Sequence, residues 1–100
     1  MIYITQLIYL NEGQEAVFDQ FEAIAIPLIA KYNGQLLLRC RPGPESILEQ
    51  TLETPYEIHL VCFDTPGDFQ RFLQDEARKQ WLHLKERSIR SVLLIQGNAV

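Results

Sequence analysis

The segment Ile2–Leu10 reads Ile-Tyr-Ile-Thr-Gln-Leu-Ile-Tyr-Leu. Its β-branched and aromatic residues, and its shortage of helix formers, predict a strand. Ile2, Ile4, Ile8 and Leu10 share one parity, and Tyr3, Leu7 and Tyr9 share the other. A sheet with one solvated face alternates apolar and polar side chains. This strand does not, so it needs cover on both faces. Helices supply one cover, and a second sheet is the simplest supply of the other.

The rest of the chain divides at clear punctuation. Asn11 is placed to cap a helix, with Gln14 three residues on reaching back. Val17, Phe18, Phe21, Ile24, Leu28 and Ile29 recur at three- and four-residue steps, which predicts an amphipathic helix over 13–32. Asp19, Gln20, Glu22 and Lys31 fall on its other sides. Pro27 should bend or break the last turn, and Gly34 should end it in a left-handed conformation.

A second strand is expected over 35–41, with Leu36, Leu38 and Cys40 alternating against Gln35, Leu37, Arg39 and Arg41. Residues 45–55 read either as a hairpin extension or as a turn of helix. A third strand follows over 56–64. Thr65-Pro66-Gly67-Asp68 carries a cap, a proline at the first helical position and a box-closing acid. Phe69, Phe72 and Leu73 form that helix's buried stripe. Asp75 re-caps a further piece, with Ala77, Trp81 and Leu84 at helical steps, and 89–96 is the last strand.

Strand, helix, strand, strand, helix, strand is the order of a ferredoxin-like α+β domain, in which helices cover one face of a four-stranded antiparallel sheet and strands one and three lie in the middle. One hundred residues make a single domain, 1–100. The apolar second face then predicts a homodimer, with two sheets packed face to face.

Several short segments resemble the dimeric α/β-barrel superfamily, and within it the domain of unknown function 1330. Tyr32-Asn33-Gly34-Gln35-Leu36-Leu37-Leu38-Arg39 is similar to that family's Tyr-Gly-Gly segment and arginine-bearing strand, with Asn33 in place of the first glycine. Pro27 matches a proline late in the first helix. Val61-Cys62-Phe63-Asp64-Thr65-Pro66 resembles its strand-to-helix junction, Arg87 its arginine after the second helix, and Ile95-Gln96-Gly97 its last strand and glycine. The resemblance implies the barrel and the dimer. It implies no activity, because relatives in the superfamily include monooxygenases, haem-degrading enzymes, isomerases and dehydratases, and fold does not choose among them.

Composition narrows the function. The net charge is −4, and Arg39, Arg41 and the cations of 78–90 have carboxylates nearby, which disfavours nucleic acid as a partner. No apolar run approaches the ~20 residues of a membrane span, and the N-terminus has no secretory pattern. Cys40 and Cys62 match no zinc or redox spacing. The expectation is a cytoplasmic protein without metal or cofactor. Nucleophile elbows, phosphate loops and nucleotide fingerprints are absent.

The candidate site centres on His59, in mid-strand with Glu57 two residues away on the same face. The pair suits proton transfer, with Glu57 orienting the imidazole. It equally suits a hydrogen-bonded imidazole in the dimer interface, and a single histidine makes no metal site. Arg39, on a neighbouring strand, is placed either to hold a substrate carboxylate or to pair with Glu57. Arg41 is expected to be solvated. Tyr3 offers a hydroxyl and Trp81 a pocket wall, and 76–90 reads as a solvated helix face. Two functions follow: a homodimer that binds a small apolar or carboxylated molecule or is purely structural, and a cofactor-independent enzyme using His59. Haem or flavin binding is a third.

Overall fold

The computed structural model describes residues 1–100. Strands β1 (Ile2–Leu10), β2 (Gly34–Cys40), β3 (Glu57–Phe63) and β4 (Ile89–Asn98) form one antiparallel sheet in the order β2-β3-β1-β4. Helix α1 (Glu15–Leu28) runs into a 3-10 turn (Ile29–Tyr32), and α2 (Pro66–Leu73), α3 (Glu76–Gln80) and α4 (Leu82–Ser88) follow β3. As expected, β1 and β3 are central. The molecule is 17 Å across its thinnest direction, enough for one sheet and one helix layer.

The even parity of β1 meets the helices: Ile2, Ile4 and Ile8 are buried, with Val61 and Phe63 of β3 and Phe69 and Phe72 of α2 completing the core. The odd parity forms the outer face. Two rows cross it, Leu38-Leu60-Thr5-Ile95 and Cys40-Ile58-Leu7-Leu93. Leu38, Leu93 and Ile95 are 49%, 44% and 51% exposed there. The apolar outer face read from β1 is therefore continuous across all four strands.

Local capping follows the sequence at α2 and α3. Thr65 Oγ1 accepts from the Asp68 N–H at 3.1 Å, and Asp68 accepts from the Thr65 N–H at 3.2 Å. Asp75 accepts from the N–H groups of Ala77 and Arg78. Pro27 lies in the last turn of α1, and the chain tightens to 3-10 geometry directly after Leu28. Residues 44–46 form a 3-10 turn, and no strand lies between it and β3.

Four local expectations are corrected. Asn11 does not cap α1; its side chain donates to the Arg87 carbonyl, and Gln14 accepts from Arg87 Nε, so both tie the first loop to the end of α4. The left-handed residue is Asn33 (φ 58°), whereas Gly34 is needed for space: a Cβ there would lie 2.7 Å from both Ile29 Cγ2 and Phe63 Cε1. A bulge between Leu36 and Leu38 breaks the β2 alternation, so Leu36, Arg39 and Arg41 share the helix face while Leu38 and Cys40 turn outward. The third helix stops at Trp81, which is 39% exposed and stacks on His83, while Ala77 is solvated.

Candidate functional site

Register places Arg39, His59, Gln6 and Leu94 in one row across the helix-facing side of the sheet. With Glu57 in the adjoining row, it forms the polar part of a face on which Ile2, Ile4, Ile8, Val61 and Phe63 are buried. Above Gln6 and His59 the helices leave a cavity of about 220 Å³. Its walls are mostly hydrophobic, among them Phe21, Ile26 and Ile29 of the α1 region and Ile89, Val92 and Leu94 of β4. Five polar side chains reach it: Gln6 and His59 from the sheet, Glu22 from α1, Arg78 from α3 and Lys85 from α4.

His59 and Glu57 do face the same way, but towards the helices, not towards a partner sheet. The reason is parity: both pair opposite even residues of β1 that α1 covers. Glu57 is fully buried. It accepts from Arg39 Nε at 2.8 Å, from Arg41 Nε at 2.7 Å and from His59 Nε2. Arg41 also donates to Asp19 of α1 at 2.7 Å. Burial works to raise the Glu57 pKa, yet the bonds from Arg39, Arg41 and His59 outweigh it and hold the carboxyl below its ordinary value. Burial is also the largest influence on His59, and it lowers the imidazole pKa against the pull of Glu57. The ring is thus neutral at neutral pH, with its proton on the nitrogen that donates to Glu57.

Of the two roles expected for Arg39, the pairing with Glu57 is the one present, and the expectation of a solvated Arg41 is corrected. Arg39 is engaged by Glu57 and does not line the cavity, and Arg41 is paired, not free in solvent. Tyr3 stands opposite Cys62 and Gly97 on the outer face, separated from His59 by the sheet. Trp81 lies outside the cavity as well. Of the expected residues, the structure brings together His59, Glu57 and Arg39, and only His59 of these reaches the cavity.

Sequence reasoning missed the other three charged side chains. Glu22 is 8% exposed and Arg78 7%. Burial pushes the Glu22 carboxyl up to about 7, helped by the negative charge of Glu57 and opposed by Arg39, Arg78 and Lys85, and no hydrogen bond contributes. Arg78 Nη1 donates to the Leu73 carbonyl at 3.4 Å, and its guanidinium lies over the rings of Phe72 and Phe21. Its buried Nε has no partner. Burial, then the charge of Arg78, lowers the Lys85 pKa. For Glu22 a signal was present: residues 18, 21, 22, 25 and 29 form a single stripe with Glu22 inside it.

No family model matches the chain, and no curated protein matches it. Solved structures do. A protein of unknown function from Rhodopseudomonas palustris superposes with a TM-score of 0.83 at 11% identity, over 99% of this chain and 82% of that one. A dimeric ferredoxin-like protein of unknown function from Jannaschia gives 0.73 at 17% identity, over 98% of both chains. A dimeric protein of unknown function and ferredoxin-like fold from Bacteroides fragilis gives 0.70 at 12% identity, over 98% of this chain and 95% of that one. The fold is ferredoxin-like. Within this ferredoxin-like frame the cavity lies between the sheet and its own helices. No helix is long and apolar enough to cross a membrane.

Proposed function

We propose that the chain is a homodimer in which each protomer binds a small, mainly apolar anion between its sheet and helices. The observation that carries the binding reading is Arg78: a buried guanidinium beside an apolar cavity, with an unpartnered N–H. Leaving a buried donor unsatisfied is costly, and a ligand carboxylate would satisfy it with a charge-assisted bond. Lys85 adds a second cation. An engineered apolar cavity of about 150 Å³ holds benzene, so about 220 Å³ suits a molecule of roughly ten heavy atoms.

The dimer reading rests on the outer face, where two contiguous apolar rows lack any cover from the chain itself, and on the dimeric state given for two structural relatives. Sheets paired there would close as the dimeric α/β barrel that the resemblance to domain of unknown function 1330 implies. The free thiols of Cys40 and Cys62 are in keeping with a reducing compartment such as the cytoplasm.

The test is a titration followed by NMR, comparing hexanoate and phenylacetate with their amides. Carboxylates should bind at least about tenfold more tightly than the amides, the value of one charge-assisted hydrogen bond. Arg78→Met should remove that preference. Equal affinity for acid and amide, or no binding of either, would overturn the reading.

A further inference from the structure

We infer that Glu22 is a catalytic base in this cavity, moving a proton on the carbon next to a carbonyl in a small apolar 2-oxo acid. The inference rests on the anion-binding reading above and adds a reaction to it.

The cavity collects the parts such a step requires. Glu22 enters from α1, buried and without a hydrogen bond to hold its carboxyl. Arg78 and Lys85 enter from α3 and α4, and both act on Glu22 by their charge. The walls between them are aliphatic and aromatic. A 2-oxo acid held with its carboxylate on Arg78 would set its carbonyl oxygen by the cationic side of the cavity, and its C3 among the apolar walls facing α1. His59 also reaches the cavity, where its Nε2–H is given to Glu57, whereas the Glu22 carboxyl has no hydrogen-bond partner.

The step balances without a cofactor. The C3–H bond breaks and an O–H bond forms on Glu22. The electron pair of the broken bond becomes the C2–C3 double bond, and the carbonyl π pair moves to the C2 oxygen as an enolate. Glu22 returns the proton to C3 or to that oxygen, which completes keto–enol tautomerisation with no net change in redox state. A base should titrate near the working pH, and Glu22, raised by burial to about 7, does so.

Hydrogen–deuterium exchange reads the step directly. The dimer or monomer, whichever the full chain forms, is incubated in D2O with 4-methyl-2-oxopentanoate or phenylpyruvate, and the C3 proton signal is followed by NMR. Wild type should accelerate exchange above buffer. Glu22→Gln, which keeps the shape and removes the base, should lower it by about 10²-fold or more while binding the acid with unchanged affinity. Exchange that is lost in His59→Gln but kept in Glu22→Gln would make His59 the base and overturn the assignment. Binding without exchange, or exchange that survives Glu22→Gln, overturns the catalytic role and leaves the binding site standing. Absence of binding overturns both.

Discussion

Arg41 Nε lies 2.7 Å from Glu57 Oε1, joining a half-exposed guanidinium just beyond β2 to a carboxylate with no exposed surface in β3. Arg39 holds the other oxygen, and Asp19 links Arg41 onward to α1. Two strands and a helix thus meet at one buried charge. The bulge at Leu37 makes this arrangement possible, because it brings Arg39 and Arg41 to the same side as Glu57. Glu57 is accordingly a structural anchor that also orients His59.

Removing that charge should be costly. Glu57→Ala leaves two arginines and an imidazole without their acceptor, and a loss of about 2–4 kcal/mol is expected, below the full range for a wholly buried pair because both arginines reach solvent. Arg41→Ala should cost about 1 kcal/mol or less, since Arg39 and His59 still serve the carboxylate. The sign with pH follows from the lowered Glu57 pKa. The contribution is present above the ordinary carboxyl value and lost as pH falls through the lower, folded-state value. Urea denaturation between pH 3 and 7 checks both amounts.

Glu22 has the opposite linkage. Its folded-state pKa of about 7 exceeds the ordinary 4.5, so the folded protein holds a proton that the unfolded chain has released between those values. Stability is therefore lost as pH rises through that window. Glu22→Gln, which cannot ionise, should match wild type near pH 4 and exceed it by roughly 3 kcal/mol at pH 8. His59, whose pKa is lowered, works the other way across part of the window, so the difference between variant and wild type is the quantity to measure. Thermal melts of both proteins at pH 4, 6 and 8 supply it, and a constant difference would contradict a raised Glu22 pKa.

Gly34 tests the packing of β2 against the core. A methyl group there would strike Ile29 and Phe63, and Phe63 has no room to yield, being buried against Phe69 and Phe72. Gly34→Ala should destabilise by about 1–3 kcal/mol, as overpacking does. Asn33→Gly relieves the left-handed position but removes the Asn33 Nδ2 donor to Asp68 at 3.2 Å, so a smaller cost of about 1 kcal/mol or less is expected. Denaturant midpoints for the pair separate space from backbone conformation as the reason for the Asn33-Gly34 dipeptide.

The elements were legible because periodicity and caps agree. Alternation, the Thr65–Asp68 box and the Asp75 cap each gave an element that the structure contains. The site was legible only at His59. Its neighbours were hidden by two kinds of event that pattern reading does not resolve. A one-residue bulge moved Arg39 and Arg41 onto the face of Leu36 and turned Leu38 and Cys40 away from it. A break at Trp81 separates α3 from α4, so Ala77, Trp81 and Leu84 share no single helical stripe, and in the short α3 it is Arg78 that is buried. Glu22 differs, since it sits within the apolar stripe of α1, not on the polar sides with Asp19 and Gln20. A charge on the buried stripe of a helix, facing a strand whose apolar parity breaks at Gln6 and His59, was the available signal for the cavity.

Leu60 lies on the central strand β3, in the outer-face row with Leu38, Thr5 and Ile95. If a second copy covers that row, a carboxylate at Leu60 would be buried without a partner in the assembly, at a cost of several kcal/mol. In an isolated protomer the same carboxylate would face water. Leu60→Glu should therefore halve the solution mass measured by light scattering, while the circular dichroism spectrum stays that of the folded chain. Leu38→Glu, on edge strand β2, should act in the same direction and more weakly. An unchanged mass in both variants would place the subunit contact elsewhere, and a wild-type mass equal to one chain would leave the apolar rows in water and remove the barrel.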